Sequence, residues 1–264
     1  MALQVWLPLN EDLHNQGLQN ITVANNGTVI NNNGKIGKCY EFSGSAYLSA
    51  PIDLSQFGTE CSLAVWAKLP THSSGNKQII NIGTASGWNN IRFGLLYRTN
   101  AAQVIAAISN GSSAINYSCN ADITENIWNH FVVTYKNHSL KIYINGNLAK
   151  EYTTTFDPSW TSISEVGIGA APNGNEKLTG LLNDVRIYNH ALSEEEVAEI
   201  AKGLVLHYPL NNNGFGNKNY FKNSHFSNGT TYWSGPNSAK VRIETKDGRT
   251  CLTGTKGTNN YITS

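Results

Sequence analysis

Apolar and polar residues alternate along most of this chain with a period of two, the pattern of strands that bury one face. Within 61–69, Leu63, Val65 and Ala67 oppose Ser62, Ala64, Trp66 and Lys68. Within 3–9, Trp6 lies on one face and Val5 and Leu7 on the other. Runs at 38–42 and 46–50 read as paired strands across Ser43-Gly44-Ser45, and short β-like bursts at 21–23 and 28–30 flank Asn25-Asn26-Gly27, a hairpin signal. Strand-like runs at 78–82, 91–97, 103–109, 114–119 and 163–169 are separated by Gly- or Asn-containing turns. The clearest hairpin lies further on: 129–135 leads, and 140–144 and 148–152 flank Asn145-Gly146, a two-residue turn that needs positive φ at both positions.

The pattern changes once. In 180–201, Val185 and Ile187 alternate with Asp184, Arg186 and Tyr188, and a helical spacing then begins with Val197, Ile200, Ala201 and Leu204. Ser193 is a helix N-cap with Glu196 completing a capping box, and Gly203 suits the C-terminal end. Many short strands with turns and one short helix predict an all-β antiparallel β-sandwich.

The chain then restarts. Leu3-Gln4-Val5-Trp6-Leu7-Pro8-Leu9-Asn10 and Leu204-Val205-Leu206-His207-Tyr208-Pro209-Leu210-Asn211 share one pattern, so a second module is expected to open at Gly203. The expected division is a sandwich over 1–202 and a partial β module over 203–264, with strands near 241–244 and 249–252. That second piece is too short for a sandwich of its own, so it is incomplete or is completed by other chains, the alternative being an irregular tail laid against the first domain.

Composition narrows the setting. Thirty-five asparagines and 24 glycines against 7 prolines are turn chemistry, while six tryptophans and twelve tyrosines supply a core and aromatic surface. The 19 basic and 18 acidic residues balance, which gives no pull on nucleic acid, and no apolar run is long enough for membrane insertion. The N-terminus has neither a basic n-region nor a long apolar stretch, so synthesis in the cytoplasm without a signal peptide is expected. Cys39, Cys61, Cys119 and Cys251 are far apart with no Cys-x-x-Cys, and Cys61 and Cys119, in strand-like runs, read as buried thiols.

Sugar binding asks for an exposed ring and nearby amide or guanidinium donors. Ser86-Gly87-Trp88-Asn89-Asn90-Ile91-Arg92 has that content in a turn, and Tyr97 and Arg98 extend it, so Trp88, Asn89, Asn90, Arg92, Tyr97 and Arg98 form the candidate site. The competing structural role for Trp88 is to cap the core. Trp6, Trp66 and Trp128, inside apolar strands, read as core. The stretch from Gly167 to Gly174 only half imitates a phosphate loop, because it opens no helix.

Tyr40-Glu41-Phe42-Ser43-Gly44, the strand around Val65-Trp66, Trp128-Asn129-His130-Phe131-Val132-Val133-Thr134-Tyr135, Leu140-Lys141-Ile142-Tyr143-Ile144-Asn145-Gly146 and the 180–196 stretch together resemble the laminin-G-like, concanavalin-A-like jelly-roll family over about 1–202. The resemblance implies two curved sheets, carbohydrate or protein binding, and often a structural calcium. Similar proteins carry an acid pair where this chain has Asn183 and Asp184. The first position is an amide here, and Asp184 is left to bind calcium with Asn10, Glu11 or Asp12, or simply to act as a strand-edge acid paired with Arg186 or a lysine. The segment 219–233 resembles the start of carbohydrate-binding jelly-roll modules, which makes Trp233 a sugar candidate. Hydrolases on this fold use Glu-x-Asp-x-x-Glu, and no Glu-x-Asp occurs in the sequence, so no enzyme is expected. The resulting expectation is a bacteriophage virion protein of the tail or an appendage, binding host cell-surface glycan and other virion proteins as a homo-oligomer such as a trimer. The alternatives are a purely structural or decoration virion protein and a glycan-binding module of a larger bacterial enzyme.

Overall fold

The alternating runs become two antiparallel sheets that share one core, in a computed structural model describing residues 2–70, 75–98, 101–120 and 123–203 and the backbone alone of 241–246 and 249–254. Two units are separated by contact, Met1–Gly203 and Leu204–Ser264. In chain order the first unit opens with β1 (Leu3–Leu7), β2 (Ala24–Asn26), β3 (Val29–Asn31), β4 (Cys39–Ser43), β5 (Tyr47–Pro51) and β6 (Cys61–Lys68). It continues with β7 (Asn76–Gly83), β8 (Ile91–Arg98), β9 (Gln103–Ser109), β10 (Ala114–Cys119), β11 (Trp128–Lys136) and β12 (Ser139–Ile144). It closes with β13 (Asn147–Thr153), β14 (Glu165–Ile168), β15 (Thr179–Tyr188) and helix α1 (Glu194–Ile200). In the second unit β16 (Val241–Lys246) pairs antiparallel with β17 (Arg249–Gly254), where strands were expected.

The eight-stranded sheet runs β13-β12-β11-β6-β15-β4-β3, with β1 also pairing β15, and the seven-stranded sheet runs β10-β9-β8-β7-β14-β5-β2. Period two sorts residues as predicted: Leu63, Val65, Ala67, Val185 and Ile187 enter the inter-sheet core with Phe42, Phe93 and Phe131. Each of these Leu, Val, Ile and Phe side chains, fully buried, contributes roughly 1.5–3 kcal/mol. Asn145 and Gly146 have φ of 52° and 85°, so the β12–β13 hairpin has the two left-handed residues its sequence called for. The capping box is also present: Ser193 Oγ accepts from Glu196 N, and Glu196 Oε2 accepts from Ser193 N.

Two expected pairings are corrected. β4 and β5 do not pair across Ser43-Gly44-Ser45; they lie in different sheets, as do β2 and β3 around Gly27. Both turns carry the chain from one layer to the other.

Trp6 and Trp66 are buried as expected and Trp128 is half-buried, but none of the three belongs to the cluster between the sheets. Trp6, Trp66 and Trp128 face away from the inter-sheet core, on the outer side of the eight-stranded sheet, because their neighbours Val5, Leu7, Val65 and Ala67 take the inner side. Trp66 is covered by Lys35, whose Nζ lies 4.5 Å from the ring centroid, and half-buried Trp128 donates its indole N–H to Asn33 O at 3.3 Å. The segment 31–38 is thus a cover over that face. Elsewhere on it, α1 packs Val197 against Ala64, Val132, Tyr143, Tyr188 and Leu192. Cys39, Cys61 and Cys119 are free, buried thiols. Among the described residues no helix is long and apolar enough to cross a membrane.

Candidate functional site

The turn after β7 brings Trp88, Asn89, Asn90 and Arg92 together, as the sequence suggested. Trp88–Asn90 form a single 3-10 turn. Gly94 leaves room on the same strand for the Ile91 side chain, since a Cβ there would come within 2.5 Å of Ile91 Cγ2. Half-buried Trp88 covers Ile91, Leu96, Ile105 and Ala107. The donors are turned inward: Arg92 Nη1 donates to Asn89 O and to Ser109 Oγ (3.3 Å), and Asn90 Nδ2 donates to Ser86 O at 3.0 Å. The cluster works as a latch holding a turn against the sheet.

The other expected members lie apart. Arg98 shares the outer side of β8 but sits about 20 Å along the strand from Arg92 at the usual rise, held by Asn76 Oδ1 and Gln103 Oε1, both at 3.2 Å. Tyr97 is corrected outright: it is fully buried among core residues, because it follows Phe93 and Leu95 on the inner side of β8. Its hydroxyl donates to Glu125 Oε1 at 3.0 Å, and burial followed by that carboxylate pushes its pKa up. Trp233 lies outside the described residues.

Asn183 and Asp184 sit at a β-bulge on the other sheet, where the register of β15 against β6 shifts between Asn183 and Arg186. Asp184, 4% exposed, accepts from Trp6 Nε1 (2.7 Å) and Arg186 Nε (2.9 Å) at Oδ1 and from Arg186 Nη2 (2.9 Å) at Oδ2. Arg186 in turn stacks on Trp6, its Cζ 5.0 Å from the ring centroid. Asn183 presents nitrogen, not oxygen, to the carbonyls of Pro8 (2.7 Å), Lys38 (3.1 Å) and Leu9 (3.4 Å). A hard cation takes oxygen ligands, so the donor set of this pair does not suit the calcium that the family resemblance implies. Asp12 turns its carboxylate to His14 N at 3.0 Å, and no group of three or more acidic, His or Cys side chains suited to a metal occurs among the described residues.

A site that the sequence did not reveal lies where β5 ends and β14 begins. An open groove of about 880 Å³ is lined by Leu18, Gln19, Asp53, Gln56, Trp160 and Ser164 among others. Three segments remote in sequence build it, and each is fastened. Leu18 N and Gln19 N donate to Leu3 O and Gln4 O, both at 3.1 Å, so 18–19 run along β1. The Gln19 side chain makes both bonds to the peptide of Asp53, accepting from its N at 2.9 Å and donating to its O at 2.7 Å. The connection from β13 to β14 is held where the Tyr135 hydroxyl lies within 3.1 Å of Thr154 Oγ1, Phe156 O and Asp157 Oδ1. Burial, with Asp157 adding, pushes that phenol up to about 12.

Trp160 is the wall of the groove. Its indole N–H is spent on Gly58 O at 2.8 Å and Phe57 meets it edge-on at 5.7 Å, so Trp160 offers the groove only ring carbon. Leu18, 74% exposed, forms an apolar rim. Asp53 accepts from Ser55 N at 2.9 Å, and that bond lowers its pKa, keeping the carboxylate ionised. A ring wall with amides and one carboxylate, within the usual size of small-ligand clefts, can hold a polar molecule with an apolar face. The sequence carried one clue, a tryptophan in the Pro158-Ser159-Trp160 connection between strands.

A family model described as Laminin_G_3, concanavalin A-like lectin/glucanases superfamily, matches residues 42–198. A segment of the adhesion G-protein coupled receptor V1 of Danio rerio is 22% identical over 174 residues, which is 63% of this chain; the match spans 3% of that receptor's length. Among solved structures, domain 4 of AbnA, a GH43 extracellular arabinanase from Geobacillus stearothermophilus in complex with arabinotriose, superposes with a TM-score of 0.59 at 18% identity. That match covers 76% of this chain and 98% of the other. Botulinum neurotoxin type C, whose uptake by cells is described as dependent on interaction with two ganglioside molecules, gives 0.61 at 15% identity, covering 76% of this chain and 51% of that one. At these identities the structural likeness establishes the shared fold.

Proposed function

The chain belongs to the Laminin_G_3 group of the concanavalin A-like lectin/glucanases superfamily, and on that premise we propose that the unit Met1–Gly203 is a non-enzymatic module that binds glycan in the Trp160 groove. The observation that carries this reading is the groove itself, which sets an indole wall beside Gln19, Gln56, Ser164 and the ionised Asp53. Sugar rings have one apolar face and an equatorial fringe of hydroxyls, which such a wall and fringe match. Two relatives of the same fold are described with sugars, an arabinotriose and gangliosides. The non-enzymatic part rests on chemistry: glycoside cleavage uses two carboxyl groups flanking the bond, and Asp53 is the single carboxylate among the described residues lining the groove.

The test is a glycan array and a pull-down on bacterial cell walls, with Trp160→Ala and Trp88→Ala beside the parent protein. Binding by the parent that falls at least about tenfold in Trp160→Ala, a loss of roughly 1.4 kcal/mol, and survives in Trp88→Ala supports the groove. Loss in Trp88→Ala alone moves the site to the turn, and a blank array removes the reading.

The proposed setting is a bacteriophage tail or appendage, with host cell-surface glycan and other virion proteins as partners. The Asn- and Gly-rich, charge-balanced composition supports it, and antibody labelling of purified particles tests it. A second reading, a structural protein acting through contacts between chains, draws on the terminal strand β3, which exposes Val29 at 57% and Ile30 at 46%. Sedimentation equilibrium of the parent and of Val29→Lys separates the two, since only the second reading ties oligomerisation to that edge.

A further inference from the structure

Backbone groups fix which end of the Asn183 amide is which. The N–H of Ile36 can only donate, and it lies 2.7 Å from Asn183 Oδ1. The carbonyls of Pro8, Lys38 and Leu9 can only accept, and they surround Nδ2 at 2.7, 3.1 and 3.4 Å. Turning the amide over would set oxygen against three oxygens and N–H against N–H, so the orientation is determined by partners of invariant polarity. Asn183 is fully buried. It therefore ties two loop segments, 8–9 and 36–38, to the outer side of the eight-stranded sheet through one side chain.

Three carbonyl oxygens converging on one point are the surroundings of a hard cation. Here the positive end of an amide dipole occupies that point. The adjoining carboxylate is already neutralised, because Asp184 is bonded to both Arg186 and Trp6. The backbone on both sides is held in a region that residues other than glycine avoid: Leu9 has φ of 52° and Asp184 has φ of 56°. Such conformations persist where surrounding bonds over-determine them: the amide bonds the Pro8 and Leu9 carbonyls, Asp184 N donates to Pro8 O at 3.0 Å, and the Asp184 carboxylate is held by Trp6 and Arg186.

We propose that Asn183 is an internal replacement for a divalent cation: its Nδ2 gathers the carbonyls of Pro8, Leu9 and Lys38, the folded unit needs no metal there, and the same cage becomes a calcium site when that nitrogen is exchanged for oxygen. Asn183→Asp is the single-atom form of that exchange. The aspartate keeps the acceptor for Ile36 N–H and places a second oxygen against three carbonyls, an arrangement that is repulsive until a cation sits between them. With two carboxylate and three carbonyl oxygens the cage supplies five ligands, and water completes the six to eight that calcium takes.

The experiment is thermal unfolding of the parent, Asn183→Asp and Asn183→Leu, each in EDTA and in a calcium series. The parent should melt at one temperature throughout. Asn183→Asp should fall by on the order of 10 °C in EDTA and recover as calcium rises, saturating on the order of a millimolar as in weak extracellular sites. Asn183→Leu, which has neither end of the amide, should fall and stay down in both. A parent whose melting temperature follows calcium overturns the proposal. So does an Asn183→Asp protein that melts alike in calcium and EDTA or stays unfolded with calcium present. None of these readouts depends on sugar binding.

Discussion

Tyr117 and Tyr152 stack face to face, ring centroids 4.2 Å apart and planes 20° from parallel, and each hydroxyl bonds to the other's strand. Tyr117 OH donates to Thr153 O at 2.8 Å, and Tyr152 OH donates to Ser118 O at 2.6 Å. β10 and β13 are the terminal strands of the two sheets, so the pair clasps the open side of the sandwich. Tyr117→Phe and Tyr152→Phe should each cost about 1 kcal/mol by removing one hydrogen bond. The Ala substitutions should show a coupling of roughly 0.5–1.5 kcal/mol in a double-mutant cycle, because the stack is lost with the first. Urea titrations of the four proteins give the cycle, and strict additivity would mean that the stack contributes nothing.

His130 makes stability depend on pH in a defined direction. It is 1% exposed, lies 4.9 Å from the Trp66 ring, and is held down to about 3 by burial first and then by Arg186 and Lys35. Its folded pKa is below the unfolded value near 6.5, so the unfolded chain binds the extra proton between those two pH values. Stability should therefore be full above about pH 6.5 and fall as pH drops toward 3, by up to about 1.4 kcal/mol per pH unit. His190 is lowered too, chiefly by burial, and adds in the same sense. Comparing His130→Phe with the parent at pH 4.5–6.5 isolates the larger contribution, and equal slopes would reject it.

The bulge at Asp184 should be a point of high sensitivity. Asp184→Asn keeps a residue type that tolerates the left-handed backbone but removes the charge facing buried Arg186, at a cost of roughly 3–5 kcal/mol. Trp6→Phe removes one hydrogen bond to the same carboxylate and should cost about 1–2 kcal/mol through it. For a unit of this size each kcal/mol lowers the melting temperature by about 2–4 °C, so a melting series ranks the two. The reverse order would mean that the indole, rather than the ion pair, holds the bulge.

Trp88→Ala should weaken the fold while leaving the groove intact. Half-buried over Ile91, Leu96, Ile105 and Ala107, the indole should be worth on the order of 2 kcal/mol to the turn. Hydrogen exchange should report faster opening of 84–91, with protection of β6 and β15 unchanged.

Whatever depended on a period or a local turn was legible in the sequence. Leu63, Val65 and Ala67 against Ser62 and Ala64 sorted correctly, as did Val185 and Ile187, the Asn145-Gly146 turn and the Ser193–Glu196 box. Those signals are set within a few residues. Ser43-Gly44-Ser45 says only that the chain turns; which sheet receives the next strand is decided by the long-range pairings of β5 with β14 and of β4 with β15. The same limit applies to the site. Trp88, Asn89, Asn90 and Arg92 could be grouped from the sequence because they are contiguous, whereas the Trp160 groove joins Leu18, Asp53 and Trp160, whose meeting no local pattern encodes. Tyr97 was misplaced by chemistry overriding periodicity, since the same alternation that buries Phe93 and Leu95 buries it.

The pairing of β1 with β15 sets Leu3 opposite Tyr188 and Leu7 opposite Val185. The first strand of this unit to be synthesised therefore waits for the last strand of the unit before it can pair. Closing so long a loop is slow, and folding rates fall as such separations come to dominate. Throughout that wait Val5 and Leu7 have no sheet to cover them. A chain stalled short of β15 would present that apolar ribbon to its neighbours, so yield of the native unit should depend on temperature and crowding during synthesis more than its final stability suggests.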